Sequence, residues 1–319
     1  MILTVTLNPS VDISYPVGSL ALDTVNRVAG VSKTAGGKGL NVSRVLHQLG
    51  EEVRASGFLG GSLGDFIRGE IGASAINDGF TAISGQTRNC IAIIHDGQQT
   101  EILENGPEIS AAEQADFLKA FKQQALEATH ITISGSMPPG VSENFYNKLL
   151  EIAAEMKTPV LLDVNGKLLQ ETLSARSAKP FLIKPNESEL AALIGQADLT
   201  DTEIIHVLKT EAIFSGIEMV IVTQGKDGAL AKIGKEYYRI IPPEITAVNP
   251  VGSGDSVIAG FAAGLSKGLT ATALLKYALS MGVLNAMEKQ TGYVDTEKID
   301  DCVAQMSVEH LNEGDGINE

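Results

Sequence analysis

The chain of 319 residues contains little cysteine, which excludes two classes of small cross-linked protein. Cys90 and Cys302 are its two cysteines, with no CxxC pair and no cluster of cysteine and histidine. A disulfide framework needs several cysteines, and a structural zinc site needs closely spaced sulfur and nitrogen ligands. We therefore expect both thiols to be packing residues.

Long apolar runs are also missing, and the first residues do not lead us to expect a signal peptide. Residues 1–7 alternate threonine with aliphatic residues and lack the basic start and apolar centre of a signal peptide. No apolar run approaches the roughly 20 residues that a transmembrane helix needs. The expected location is cytoplasmic, without a membrane as partner.

Basic residues are few relative to acidic ones. Lysine and arginine number 24 against 39 acidic residues, which gives a formal net charge of −15. This balance disfavours nucleic acid and anionic membranes as general partners. An anionic small molecule would need local cations, so the lysines and arginines inside motifs carry extra weight.

Short aliphatic runs alternate with amphipathic stretches, which predicts an α/β fold. Strands are expected at residues 2–7, 131–133, 160–163, 181–183 and 219–222, and helices at 111–128, 142–156 and 187–194. This rhythm is typical of a Rossmann-like, mostly parallel sheet with helices on both faces. Ligands bind at the carboxyl ends of such strands, and polar residues follow them here, among them Asn8, Asp163, Asn165, Lys184, Asn186 and Thr223.

Two segments interrupt the predicted alternation of strands and helices. Residues 12–34 hold no long helical pattern, and residues 85–104 read as strand, turn, strand, with Asp96 and Gly97 as the hairpin turn. We predict a small β-sheet built from both segments, acting as a lid or pairing with a second copy. The main domain would then comprise residues 1–11, 35–84 and 105–319.

Residues 249–256 form a glycine-rich turn that opens an apolar helix. Gly252, Ser253 and Gly254 allow backbone N–H groups to converge on an anion at the helix N-terminus. Asp255 adds a carboxylate where a bound phosphate would repel it, and a base beside a phosphate site suggests phosphoryl transfer to a hydroxyl. The alternative is a helix N-cap after a tight turn.

A second glycine-rich turn, at residues 34–41, also runs into an apolar helix. It lacks the frame of a Walker A loop. Gly37 permits close backbone approach, Lys38 is a movable cation, and Asn41 can reach a hydroxyl or phosphate from the first helical turn. The alternative is a flexible helix entry with a lysine that faces solvent.

Three further positions have both a functional and a structural interpretation. Arg88 presents a planar fork suited to a phosphate, or is a solvated surface residue. Asn186 and Glu189 either cap a helix or orient water around a magnesium ion. The glycine-rich stretch at 223–229 is either a hairpin turn or the edge of a nucleotide site.

The two glycine-rich turns together resemble the paired signatures of the ribokinase/pfkB-type carbohydrate kinases. The resemblance extends through residues 184–189 and 223–225 and so covers most of the chain. Residues 7–12, 87–89 and 105–107 look like the branch that phosphorylates sugar phosphates. Within it, residues 12–16, 31–38, 87–93 and 98–104 are most similar to the tagatose-6-phosphate kinases.

This resemblance implies ATP as phosphoryl donor, Mg²⁺ as cofactor, and a homodimer formed through the lid. The implied acceptor is D-tagatose 6-phosphate, with fructose 1-phosphate as the alternative. The implied catalytic group is Asp255 with the N–H groups of Gly252, Ser253 and Gly254. For the acceptor, the resemblance implies contacts of Asp12, Gly37 and Asn41 with sugar hydroxyls and of Lys38 and Arg88 with its phosphate. For the nucleotide, it implies contacts of Lys184 and Asn186 with the phosphates and their metal, and of Glu189 with the metal. The residues implied to contact the nucleoside are Thr223, Gly225, Gly228 and Asn285.

Two alternatives come from other classes of protein. A nucleotide-binding regulator could keep the fold without catalysis, although the base and both glycine signatures are present. An NAD-dependent oxidoreductase would share the strand and helix rhythm, but no GxGxxG follows the first strand.

Overall fold

A large and mostly parallel sheet lies at the centre of the structure, a computed structural model that describes residues 1–175 and 178–311. The strands in chain order are β1 (Ile2–Thr6), β2 (Ser10–Gly18), β3 (Ser32–Gly36), β4 (Val53–Leu59), β5 (Asn77–Asp78), β6 (Thr81–Ala82), β7 (Arg88–His95), β8 (Gln98–Leu103), β9 (His130–Ser134), β10 (Val160–Asp163), β11 (Leu182–Ile183), β12 (Met219–Thr223), β13 (Ala229–Ile233), β14 (Glu236–Ile241) and β15 (Ser307–Leu311).

Helices connect most of the parallel strands. They are α1 (Lys38–Gln48), α2 (Gly61–Ala73), α3 (Ala111–Glu127), α4 (Phe145–Met156), α5 (Gly166–Ser174), α6 (Glu187–Ile194), α7 (Asp201–Thr210), α8 (Ser253–Ser266), α9 (Ala271–Ala286) and α10 (Ile299–Gln305). In the part of the chain that the structure describes, none of them is both long and apolar enough to cross a bilayer.

The large sheet has the strand order β5-β4-β1-β9-β10-β11-β12-β13-β14-β15, with β6 also paired to β4. The strands from β5 to β12 are parallel, and β13, β14 and β15 extend the sheet as antiparallel strands. The predicted strands and the predicted mostly parallel α/β class are confirmed. The antiparallel extension beyond β13 was not predicted.

Two hydrophobic cores cover the two faces of this sheet. Alternate residues of one strand enter opposite cores, because successive side chains of a strand point to opposite faces. In β10, Leu161 packs with the side of α1, α8 and α9, whereas Leu162 packs with the side of α3 and α4. Both faces are therefore buried, which leaves the ends of the strands as the place for a site.

A separate small sheet contains β3, β2, β7 and β8 in that order. β7 and β8 form the predicted hairpin, and positive φ angles at Asp96 (50°) and Gly97 (72°) give the turn that matches strand twist. The small sheet begins at Ser10 and its β3 ends at Gly36, so it extends about two residues beyond the predicted segment 12–34. The division of the chain into a main domain and a lid stays a prediction.

Candidate active site

A cavity of about 1100 Å³ lies where the carboxyl ends of the parallel strands face the small sheet. Asn8 enters it after β1, Ser136 after β9, Asp163 at the end of β10, Lys184 after β11 and Thr223 at the end of β12. These are the strand ends at which α/β sheets bind ligands. The opposite wall is the inner face of the small sheet.

Most of the predicted site residues line this one cavity, although they come from distant parts of the sequence. The residues that do so are Asp12, Gly37, Lys38, Asn41, Arg88, Lys184, Asn186, Glu189, Thr223, Gly225, Gly252, Gly254 and Asp255. Ser253, Gly228 and Asn285 are predicted site residues that do not line it.

The turn before α8 depends on Gly252. Its φ of 82° is left-handed, and a Cβ there would lie 2.6 Å from Cγ2 of Thr291. The first N–H groups of a helix have no carbonyl acceptor within the helix, and no side chain caps α8. The N–H of Ser253 nevertheless donates to the carbonyl of Pro250 (3.2 Å), so this predicted anion donor is used inside the turn.

Asp255 lies in the first turn of α8 and is 6% exposed. Its Oδ2 accepts a hydrogen bond of 2.7 Å from Nδ2 of Asn41, in the first turn of α1. Burial, with the nearby charge of Asp163, raises the pKa of Asp255 to about 6, while Asn41, Lys38 and Lys184 act in the opposite direction. At neutral pH the carboxylate is mostly ionised and able to accept a proton.

Asp163 forms a bridge between two lysines beside that base. Its Oδ1 is 3.5 Å from Nζ of Lys184, and its Oδ2 is 3.9 Å from Nζ of Lys38. The charge of Asp163 is the largest influence on Lys38 and raises its pKa. One end of the cavity therefore holds a cluster of two carboxylates, Asp163 and Asp255, and two ammonium groups, Lys38 and Lys184.

The sequence analysis placed Asp163 among the polar residues at the strand ends but gave it no specific role; it is the last residue of β10. The same cluster puts Lys38 next to Asp163, close enough to Asp255 for its charge to act on that carboxyl. The charged partner of Lys38 is thus Asp163, beside the base Asp255, whereas the family resemblance assigned Lys38 to the acceptor's phosphate.

The small sheet contributes a polar wall. Asp12, Thr34 and Cys90 are paired across β2, β3 and β7, and Glu101 on β8 faces the same cavity. Burial raises the pKa of Asp12, although Ser10 donates a hydrogen bond of 2.7 Å to its Oδ1. Such a wall offers oxygen acceptors suited to hydroxyl groups.

Arg88 is held by backbone rather than free in solvent. Its guanidinium donates to the carbonyls of Glu104 (2.8 Å) and Asn8 (3.0 Å). These bonds fix the planar fork at the edge of the cavity, while each terminal nitrogen keeps a further N–H group. The interpretation of Arg88 as a solvated surface residue is therefore wrong.

Asn186 and Glu189 form a reciprocal cap at the start of α6. The N–H of Glu189 donates to Oδ1 of Asn186 (2.8 Å), and the N–H of Asn186 donates to Oε2 of Glu189 (2.9 Å). The helix-capping interpretation is confirmed, and both residues also line the cavity. Within residues 1–175 and 178–311, no three histidine, cysteine, aspartate or glutamate side chains form a metal-binding group.

Three of the residues predicted to contact the nucleotide also shape the connection between β12 and β13. Thr223 is the last residue of β12 and Gly225 lies in the turn between β12 and β13, as the hairpin interpretation expected. Gly228 has a φ of 98°, and a Cβ there would lie 2.0 Å from the carbonyl oxygen of Ile240.

Asn285 is fully buried and uses both ends of its amide. It donates to the carbonyl of Val251 (2.9 Å) and accepts from the N–H of Gly292 (2.9 Å). It therefore holds the turn before α8 from behind, and its contact with adenine stays a prediction.

The sequence model of the pfkB family of carbohydrate kinases matches residues 5–298. The chain belongs to this family. Membership makes it a phosphotransferase with a carbohydrate acceptor and implies ATP as donor, and it rules out the oxidoreductase alternative.

Known relatives agree with the family. Tagatose-6-phosphate kinases from two Staphylococcus epidermidis strains are 48% identical over 312 residues, which is 97% of this chain and 99% of theirs. A solved structure from Staphylococcus aureus, provisionally named a phosphofructokinase, has a TM-score of 0.85 and 31% identity over 98% of this chain and 99% of its own. One from Thermotoga maritima, described as a possible 1-phosphofructokinase, has a TM-score of 0.87 and 25% identity over 98% and 100%.

Proposed function

We propose that this kinase transfers the γ-phosphoryl group of ATP to a hydroxyl of D-tagatose 6-phosphate, giving D-tagatose 1,6-bisphosphate and ADP. The observation that carries the proposal is the buried Asp255 carboxylate, hydrogen-bonded to Asn41 in a cavity that also holds two lysines. The choice of acceptor rests on the 48% identity with kinases that bear this name.

In the proposed reaction, Asp255 takes the proton of the attacking hydroxyl. The N–H groups of Gly252 and Gly254 would stabilise the charge on the transferred phosphoryl group, since such groups act best where they are already in place. Ser253 would contribute through the turn itself, because its N–H is already bonded to Pro250. Lys38 lies beside the base and would neutralise charge on the group in transit.

The acceptor would bind against the polar wall of the small sheet. Asp12, Gly37 and Asn41 would contact sugar hydroxyls. Arg88 would hold the phosphate already present. Lys38, the second cation that the resemblance gave to this phosphate, lies at the base instead. The fixed fork of Arg88 supports this, because guanidinium recognises a phosphate through parallel N–H bonds of defined direction.

The nucleotide would occupy the other end of the cavity. Lys184 would bind its phosphates, and Thr223 and Gly225 would lie along the nucleoside. Gly228 and Asn285 would shape the backbone around it, since neither lines the cavity.

Mg²⁺ fits this end of the cavity, because it takes one or two protein carboxylates and completes its shell with water and phosphate oxygens. Glu189, with Asn186 beside it, would be the carboxylate of that shell, and Oδ2 of Asp163 has no hydrogen-bond partner among the described residues. Bound Mg²⁺ would neutralise charge on the phosphates.

The deciding experiment compares kcat/KM of the purified protein, with ATP and Mg²⁺, for tagatose 6-phosphate, fructose 6-phosphate, fructose 1-phosphate and unphosphorylated sugars. We expect tagatose 6-phosphate to be preferred. A preference for fructose 1-phosphate would replace the proposal with 1-phosphofructokinase activity. Binding of ATP without turnover of any acceptor would favour the catalytically silent regulator.

We also infer a homodimer formed through the small sheet. β8 is an edge strand of that sheet, and each of its residues is exposed, including Ile102 and Leu103. An exposed edge with apolar side chains is a surface that a second strand can cover.

A further inference from the structure

Arg44 is an arginine of α1 that the proposed reaction does not use. It lies one turn after Asn41, and its guanidinium donates to Oδ1 of Asn41 and to the carbonyl of Ala35, at the end of β3. Its Nε is buried and has no hydrogen-bond partner among the described residues. Burial lowers the pKa of Arg44, and the charges of Asp12 and Asp255 oppose this. Burying the charge of a guanidinium is costly unless its partners compensate for the lost water, so these contacts of Arg44 call for a role.

The amide of Asn41 has two chemically different ends. Its NH₂ group donates and its oxygen accepts, so a rotation of the amide by a half turn would exchange the two. The NH₂ end faces Oδ2 of Asp255 at 2.7 Å. After a half turn, the amide oxygen would face a carboxylate oxygen, and the bond would be replaced by repulsion.

Arg44 favours the same orientation of the Asn41 amide as Asp255 does. A guanidinium has donors only, so it is satisfied by Oδ1 of Asn41 and not by the NH₂ group. Its second bond, to the carbonyl of Ala35, holds the fork in place. Lysine could keep the charge but not the rigid planar arrangement of donors.

We propose that Arg44 is a positioning residue for the catalytic base: it holds the Asn41 amide with its NH₂ group towards Asp255 and ties α1 to the end of β3. This inference rests on the proposed function, in which Asp255 is the base. It adds a residue that lines the cavity and acts on the base through Asn41.

The first test compares Arg44→Met with the control Arg68→Met. Arg68 lies on α2, and its substitution removes an ion pair with Asp78. We expect Arg44→Met to lower kcat by about tenfold or more, because small misplacements of catalytic groups cost up to ~100-fold. The KM for ATP should change little. Arg68→Met should resemble the wild type, and so should Arg44→Met if the inference is wrong.

The second test asks whether Arg44 acts through Asn41. A positioning role predicts that Arg44→Met has little further effect on kcat once Asn41→Ala is present, since coupled residues are not additive. Fully additive losses would overturn the inference.

The third test does not depend on turnover. Among the described residues, the charges that act most on the pKa of Asp255 are those of Asp163, Lys38 and Lys184, and Arg44 itself interacts with the charge of Asp255. Loss of the bond from Asn41 should therefore raise the pKa of Asp255, which ¹³C NMR of labelled aspartate can follow, with Asp255→Asn identifying the signal. Arg44→Lys keeps the positive charge, so the pKa of Asp255 should also rise in this variant if the planar fork of donors matters. Arg44→Lys also replaces Arg44→Met in this test if Arg44→Met does not fold.

These measurements separate the inference from the proposed function. A wild-type protein without kinase activity would remove the proposed function, while the carboxyl titration would still report on Arg44. An active wild type with an unchanged titration in both Arg44 variants would overturn the inference alone.

Discussion

The carboxyl group of Asp255 can be removed with little change of shape by Asp255→Asn. We expect kcat to fall by at least about 100-fold, because a positioned base contributes typically ~10²–10⁴-fold. ATP binding should remain largely intact, since Asp255 carries no attraction for a phosphate. Single-turnover rates and calorimetric ATP binding measure the two effects. Asp301→Asn, on the exposed side of α10, is the control, and near-normal turnover of Asp255→Asn would refute the assignment.

The raised pKa of Asp255 also predicts a pH dependence. A base is active when deprotonated, so kcat/KM should fall as the pH falls through about 6. A phosphate monoester also titrates near pH ~6, so the rate should be calculated per concentration of the acceptor's dianion. An acid limb that persists after this correction supports the assignment. A rate that stays constant down to pH ~4.5, near the ordinary range of a carboxyl group, would contradict it.

Arg88 is predicted to serve the acceptor and not the nucleotide. Arg88→Ala should raise the KM for the sugar phosphate about tenfold or more, because a bidentate, charge-assisted contact is lost. The KM for ATP should change far less. Arg88→Lys keeps the charge without the fork and should lie between the two. Equal increases in both KM values would move Arg88 out of the acceptor site.

At the scale of elements, the start of α8 depends on a backbone conformation that glycine alone adopts easily. Gly252→Ala should lower the free energy of unfolding by at least about 1 kcal/mol, since a left-handed residue with a Cβ costs about 1–2 kcal/mol. It should also lower kcat, because the added Cβ would press on Thr291 and shift the turn. Denaturant unfolding and steady-state kinetics measure both.

Gly268 gives a matched control for this prediction. Its φ is 67°, and a Cβ there would meet nothing within 4 Å. Gly268→Ala should therefore destabilise the protein by the backbone term while leaving kcat unchanged. Equal kcat values for the two alanine variants would mean that the turn before α8 does not position the reacting groups.

The elements that the sequence predicted best are those with a local signal. The strand at residues 160–163 and the helix at 187–194 have the predicted bounds, because periodicity and capping residues lie within each segment. The partners of Asp163 are 125 and 21 residues away in sequence, at Lys38 and Lys184. No local pattern contains such a cluster, and the same reason hid Arg44 and the buried position of Asn285.

At the scale of the whole molecule, the small sheet has an edge strand, β8, that is exposed along its whole length. Along β8, side chains at odd positions such as Glu101 line the cavity, so Ile102 between them points to the other face, where it is 53% exposed. A second copy that covers this face would bury an apolar side chain without closing the cavity.

Sedimentation equilibrium of the wild type should therefore give twice the chain mass. Ile102→Lys should shift the protein towards the monomer, because a lysine on an edge strand opposes pairing with another strand. Leu126→Lys is the control, since Leu126 is also exposed (67%) but lies on α3, away from the small sheet. A monomeric wild type would reject the dimer. A dimer that survives Ile102→Lys would place its interface on another surface.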